Sequence, residues 1–225
     1  MKILVTAGPT YERIDPVRFI GNFSTGKMGF ALAEACAEQG FDVVLIAGVV
    51  HLQTQHANIQ RIDVESAAQM YDAVMQYFSV CDAAIFCAAV ADFTPETVYS
   101  EKVKRKGNNL VIKLKPTQDI AAAAGKMKCE NQFIIGFALE TNDEEINAMS
   151  KMQRKNFDMI VLNSLNDSGA GFGHDTNKVT IFKRNGEKFS YPLKTKLEVA
   201  KIIVEQLTAT ITAKGAKKSQ HTQNF

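Results

Sequence analysis

The sequence predicts an α/β fold on a mostly parallel, doubly wound sheet, and three observations carry that prediction. Short apolar runs alternate along the chain with amphipathic segments of helical length. The runs are continuously apolar, as strands covered on both faces are. The 225 residues, 46% hydrophobic and 22% charged, suffice for one core of ordinary composition.

Lys2 to Ala7 is a strand that runs into a Gly8-Pro9 turn. Phe30 to Glu38 carries apolar residues at helical spacing, Gly40 stops it, and Asp42 to Ala47 is a second strand, which completes a βαβ unit. The unit repeats as a strand at Ile59 to Val64, a helix at Ser66 to Phe78 and a buried strand at Asp82 to Ala89. Ser66 and Gln69 fit a capping box for that helix. A helix near Asp119 to Met127, a strand at Phe133 to Leu139, a helix at Asp143 to Lys155 and a strand at Met159 to Leu162 continue the rhythm. The whole is Rossmann-like.

Two stretches depart from it and read as β-ribbons added to the sheet. Glu101 to Lys106 and Leu110 to Lys115 flank Gly107-Asn108-Asn109, and Lys178 to Lys183 and Lys188 to Tyr191 flank Asn185-Gly186. A last helix from Leu193 to about Leu207 precedes a polar tail, Lys214 to Phe225, expected to fray. A single domain over 1–210 and a flexible tail over 211–225 are therefore expected.

Lys plus Arg exceeds Asp plus Glu by 26 to 24, so no global field favours a nucleic acid or an anionic membrane. No apolar run approaches the roughly 20 residues of a membrane span, and Met1 leads directly into strand-like sequence, so a cytoplasmic protein is expected. Cys36, Cys81, Cys87 and Cys129 lie in apolar contexts without a CxxC pair and read as buried thiols; His51, His56, His174 and His221 suggest no zinc site.

Ligands of open α/β sheets bind at the carboxyl ends of strands, which points to the segment after the first strand. Gly8 to Gly29 is far longer than the usual 2 to 6 residues of such a loop. Gly21 to Lys27 fits GxxxxGK, but Met28 stands where a magnesium-holding Ser or Thr belongs, which disfavours a P-loop NTPase. Ser24, Thr25 and Gly26 still place small residues at a helix start, where free N–H groups suit a phosphate and where Ser24 or Thr25 could equally be a plain N-cap. An NAD(P)-dependent reductase is disfavoured because GxGxxG is missing after the first strand and no acidic residue closes the second.

The blocks Val5 to Thr10, Ile14 to Ile20 and Asn22 to Gly29 closely resemble phosphopantothenate–cysteine ligase, the phosphopantothenoylcysteine synthetase of coenzyme A biosynthesis. So do Ala88 to Phe93, Glu101 to Lys104, Gly136 to Thr141, Lys151 to Lys155, and Asn163 to Asn177 with its Gly169 to Gly173 turn. The resemblance runs in order over about residues 2 to 208. Many bacterial members are fused to a flavin-dependent decarboxylase half, so the resemblance leaves open a stand-alone ligase or one with a decarboxylase partner or fusion.

The resemblance implies a cytoplasmic, homodimeric enzyme that joins 4′-phosphopantothenate to L-cysteine with CTP and magnesium through an acyl-cytidylate, releasing pyrophosphate and CMP. It implies catalytic roles for Asn22, Lys102 and Arg18: Asn22 on the acyl-nucleotide, Lys102 on a loop over the triphosphate, Arg18 as a clamp for substrate carboxylate or phosphate. Nucleotide contacts are implied at Phe86, Cys87, Ala88, Asp92, Lys102, Gln118, Asp119, Ile120, Ala121, Phe137, Lys151 and Lys155, beside the phosphate site already read at Ser24 and Gly26. Substrate contacts fall to Asn22, Arg18, Ala88 and Ala89, and no residue is assigned as a protein metal ligand. Gln118 replaces a common proline, and Phe93 a common tryptophan. A noncatalytic nucleotide-binding subunit is the alternative, and it predicts losses at Asn22 or Lys102 that are not found.

Overall fold

A computed structural model describes the chain except residues 106, 108, 141, 165–172 and 223–225, and excepting the side chains of 164 and 213–222. In chain order its elements are β1 (Lys2–Ala7), β2 (Tyr11–Arg13), β3 (Phe19–Gly21), α1 (Lys27–Glu38), β4 (Asp42–Ala47), β5 (Ile59–Asp63), α2 (Ala67–Phe78) and β6 (Ala83–Phe86). There follow β7 (Phe93–Pro95), β8 (Leu114–Pro116), α3 (Ile120–Met127), β9 (Phe133–Glu140), α4 (Glu144–Arg154) and β10 (Met159–Ser164). The last are β11 (Thr176–Asn177), β12 (Val179–Lys183), β13 (Lys188–Ser190), β14 (Lys194–Thr195) and α5 (Lys196–Thr222).

The main sheet has the order β13-β12-β10-β9-β6-β1-β4-β5. Its six parallel strands wind outward from the centre, β1-β4-β5 one way and β6-β9-β10 the other, so the direction of winding reverses between β1 and β6. That reversal opens a crevice at the carboxyl ends of β1 and β6. β12 and β13 add antiparallel to the β10 edge through the turn at Asn185-Gly186, as the sequence predicts.

Side chains alternate across the strands into two cores. Ile3, Val5 and Ala7 of β1 join α1 and α5 on one face, where Leu32, Cys36, Val199 and Ile203 are buried. Leu4 joins α2, α3 and α4 on the other, among Met70, Val74, Ala124 and Met152. Gly136 on β9 is required by that second core, since a Cβ there would lie 2.0 Å from the ring of Phe157.

Several expectations are corrected. The Gly8 to Gly29 segment contains the β2–β3 hairpin, on which the rings of Tyr11 and Phe19 stack with centroids 3.8 Å apart. No strand forms in the described residues of 101–106: β8 pairs instead with β7, and this ladder stands apart from the main sheet. The physical reason is that Val103 gives its N–H to Asp15 and its carbonyl to Arg18, the groups a ladder would use. β6 stops at Phe86 because Ala88 N–H turns to the Thr6 hydroxyl and Ala89 N–H to Gly8 O. The last helix starts at Lys196, after β14 has paired with β11, and runs to Thr222 instead of ending near Leu207. Cys129 is exposed, just beyond the end of α3. The expected turn at Gly169 to Gly173 lies outside the described residues except at its last glycine.

Candidate functional site

The crevice at the carboxyl ends of β1, β6, β9 and β10 is a cleft of about 690 Å³. Its floor is the turn after β6, sewn onto the turn after β1. Ala88 N donates to Thr6 Oγ1 (3.2 Å), Ala89 N to Gly8 O (2.9 Å) and Ala91 N to Thr10 Oγ1 (2.9 Å), while Ala91 O accepts from Thr117 Oγ1 (2.7 Å). Methyl side chains let the two turns come this close and leave backbone at the cleft surface. Phe86, Cys87, Ala88, Ala89 and Asp92 all line it.

Asn22 enters from the end of the β2–β3 hairpin. Its Nδ2 donates to Ala89 O at 2.9 Å and Val90 O at 3.2 Å. Two carbonyls can face only the amide nitrogen, so the orientation of the group is chemically forced and Oδ1 is its remaining half.

The start of α1 forms the next wall. Gly26 is the N-cap, with φ +77°, and no side chain caps the helix. Neither Ser24 nor Thr25 takes the capping role open to them in sequence: Ser24 Oγ accepts from Gly26 N (3.3 Å), one residue too early. A Cβ at Gly26 would meet Val50 Cγ1 at 2.8 Å and Gly8 Cα at 3.3 Å, so glycine is demanded by both φ and space. Thr25 to Gly29 line the cleft, and the first-turn N–H groups carry the positive end of the helix dipole to it.

Opposite lie Gln118, Asp119, Ile120 and Ala121 at the start of α3, Phe137 on β9, and Lys151 and Lys155 at the end of α4. Asp119 caps α3 by accepting from Ala122 N (3.0 Å) and also holds Lys155 Nζ at 2.8 Å. Burial pushes its carboxyl up, but these bonds prevail and hold it below the ordinary carboxylate range. Burial, then the neighbouring Lys155 charge, lowers the Lys151 ammonium below its ordinary value. Lys155 keeps Asp119 as its partner, and an anion in the cleft would further offset the repulsion between the two ammonium groups.

The cleft also reaches side chains that sequence reasoning missed: Lys27, Asn163, Asn177 and Lys196. Asn163 is buried at the carboxyl end of β10, and among the described residues its Oδ1 is the buried side-chain oxygen without a partner. Lys27 pairs with Asp175 at 2.5 Å, and Lys196 Nζ donates to His174 O. Burial, then Lys27, lowers the Lys196 ammonium. The strand-end rule could have found Asn163, whereas Lys196 carried no motif. Burial pushes the Cys87 thiol up to about 12, so it is no thiolate nucleophile at neutral pH.

Of the predicted residues, Asn22, Ser24, Gly26, Phe86, Cys87, Ala88, Ala89, Asp92, Gln118, Asp119, Ile120, Ala121, Phe137, Lys151 and Lys155 come together here. Arg18 and Lys102 do not line the cleft. Lys102 is exposed beyond β7, and the Arg18 guanidinium is bound to Asp15 and to Val103 O (2.9 Å). Among the described residues no group of three or more His, Cys, Asp or Glu could hold a metal, and no helix is long and apolar enough to cross a membrane.

The strand order, with a cationic cleft at the central crossover, defines a Rossmann-like α/β domain suited to an anionic ligand. The chain belongs to the family described as the DNA/pantothenate metabolism flavoprotein C-terminal domain, which matches residues 1–211. It is 47% identical over 207 residues to the coenzyme A biosynthesis bifunctional protein CoaBC of Bacillus subtilis (strain 168), covering 92% of this chain and 51% of that one. A protein of an unknown prokaryotic organism, named cysteine/cysteine sulfinic acid decarboxylase, is 53% identical over 210 residues, covering 93% of this chain and 58% of that one. The crystal structure of the C-terminal domain of coenzyme A biosynthesis bifunctional protein CoaBC superposes with a TM-score of 0.80 at 40% identity, covering 94% of this chain and 96% of that one. The chain thus spans a little over half the length of these curated relatives.

Proposed function

We propose that this chain is the ligase that joins 4′-phosphopantothenate to L-cysteine at the expense of CTP. The observation that carries the reading is the meeting of the Asn22 amide, the uncapped start of α1 and the Lys151/Lys155 pair in one cleft, in a chain similar over nearly its whole length to coenzyme A biosynthesis proteins.

The substrate carboxylate attacks the α-phosphorus of CTP, the bond to the β-phosphate oxygen breaks, and pyrophosphate leaves. The cysteine amine then attacks the acyl carbon, CMP departs with the bonding pair, and the amine gives up its proton. No protein nucleophile is needed, so the chain's work is positioning and charge neutralisation. Lys151, Lys155 and the α1 N–H groups suit the phosphates, Phe137 offers a face to the base, and the alanine-rich turn at Cys87 to Ala89 presents backbone to the nucleotide. Asn22, with its nitrogen fixed by two carbonyls, offers Oδ1 to the incoming amine. Lys102 brings a further cation from the segment beyond β7 as that segment closes.

Because no protein carboxylate cluster converges among the described residues, magnesium fits as a companion of the triphosphate, with Asp92 able to take one of its positions. It supplies charge neutralisation at the phosphates.

The test is pyrophosphate release by purified protein with 4′-phosphopantothenate and magnesium, CTP against ATP, with and without cysteine. CTP-dependent release yielding CMP and a cysteine adduct is expected. Silence of the folded protein with both nucleotides overturns the reading in favour of a noncatalytic nucleotide-binding subunit.

A further inference from the structure

The segment that carries Lys102 is fastened at one residue. Asp15, 1% exposed, sits in the turn between β2 and β3 and uses its two carboxylate oxygens for different purposes. Oδ1 accepts from the backbone N–H of Val17 and of Arg18, both at 2.9 Å, and so builds the turn itself. Oδ2 accepts from Arg18 Nε (3.0 Å), from Arg18 Nη2 and from Val103 N at 3.1 Å. The same Arg18 Nη2 donates to Val103 O at 2.9 Å. Both backbone groups of Val103 are thus held by one ion pair 85 residues or more away in sequence. A second tie, Tyr99 N to Ile14 O (3.0 Å), secures the start of the segment. The turn closes by other bonds, through Oδ1 and through the N–H groups of Ile14 (2.8 Å) and Asp15 (3.3 Å) to Arg18 O.

We propose that Asp15 is a positioning residue for Lys102: with Arg18 it clasps Val103 and fixes the hinge from which the neighbouring lysine swings over the cleft. The inference rests on the ligase reading for its catalytic half, and on hydrogen bonds alone for the clasp. It gives Arg18 a task besides the substrate clamp that sequence resemblance implies. A lysine on a flexible four-carbon stem is useful in a charge-neutralising step only if its backbone is held, because misplacement by about 1 Å can cost about 100-fold.

Asp15→Asn separates the two purposes. Its remaining oxygen can keep the Val17 and Arg18 N–H bonds, while an NH₂ group replaces the oxygen that faced Arg18 and Val103. In the full-length chain, the expected result is trypsin cleavage after Lys102, Lys104 or Arg105 about tenfold faster than in the wild type at a temperature well below the variant's lowered melting transition, with the far-UV spectrum unchanged. Pyrophosphate release should fall roughly 10- to 100-fold in kcat, and adding Lys102→Gln should cost far less than it does in the wild-type chain. Arg18→Gln, which removes only the guanidinium, should reproduce both effects if Asp15→Asn proves unstable. Multiplicative losses from Asp15→Asn and Lys102→Gln would overturn the proposal. So would an Arg18→Gln variant that raises KM for 4′-phosphopantothenate while its cleavage rate stays that of the wild type. A wild-type chain silent with both nucleotides overturns the ligase reading and the catalytic half with it, whereas the cleavage rates still decide the clasp.

Discussion

At Asn22 the structure fixes the amide nitrogen on two carbonyls, and the proposed ligation uses the other half of the group, so the residue is sensitive to a single atom. Asn22→Asp places a carboxylate against Ala89 O and Val90 O, where the native NH₂ donates to both. The side chain must leave its place, so adduct formation should fall by roughly 100-fold or more, with a smaller loss of pyrophosphate release. Quenched-flow detection of the acyl-cytidylate checks this, and ligation at the wild-type rate would remove Asn22 from the mechanism. Lys151 allows a second prediction. Its lowered pKa means that folding penalises the charged form, a cost in full force below the folded pKa that fades as pH rises through it toward the unfolded value. Lys151→Met should therefore raise the melting temperature of the free protein by a few degrees at neutral pH, and by less at alkaline pH, while weakening CTP binding about tenfold. Calorimetry at two pH values with a CTP titration reads both. Asn22, Lys151 and Lys155 were legible in the sequence because each stands in a distinctive block. Asn163 was legible only as the residue after an expected strand, and Lys196 was not legible, because what brings it to the cleft is where a helix starts far down the chain. The clasp that Arg18 makes was not legible for a related reason: an arginine's partner, here Asp15 with Val103, is a fact of tertiary structure.

The elements most legible in sequence are those whose local chemistry closes on itself. The capping box of α2 is complete, with Gln69 N donating to Ser66 Oγ at 3.3 Å and Gln69 Oε1 accepting from Ser66 N at 3.3 Å. Ser66→Ala should cost about 1 kcal/mol, or about 2 to 4 °C in melting temperature for a chain of this size. A thermal melt that leaves the variant indistinguishable from wild type would mean that α2 is held by packing alone. The Asn185-Gly186 hairpin was legible for the same reason, a turn signal between two runs of strand-forming residues. The segment 101–105 misled because its alternation of charged and aliphatic residues mimics a strand, while the backbone partners of Val103 are an aspartate and an arginine 85 or more residues earlier in the chain. The short β2–β3 and β7–β8 ladders escaped notice because three-residue strands carry too little periodicity to register.

At the scale of the molecule, the doubly wound sheet buries both of its faces, so the large apolar side chains left exposed are informative by where they fall. Many fall beyond the main sheet, on and around the two small ladders: Val17, Phe19, Phe23, Phe93, Val98, Tyr99 and Leu114, with Phe23 at 92% exposure. β2 lies against β7, so the two ladders form one lobe beside the cleft, and Asn22 and Lys102 both stand on its connections. An apolar lobe of this kind suits self-association, in keeping with the homodimer proposed from the resemblance, and a two-fold contact would place the same residues of both copies face to face. Phe19→Asp combined with Val98→Asp puts like charges into such a contact without touching either core. The pair should convert a dimer to a monomer in sedimentation velocity at micromolar concentration, with the far-UV spectrum unchanged. If Asn22 and Lys102 depend on the contact for their alignment, pyrophosphate release should fall with the dimer and recover as protein concentration rises. A monomeric wild-type chain with full activity would show instead that the exposed lobe serves another partner.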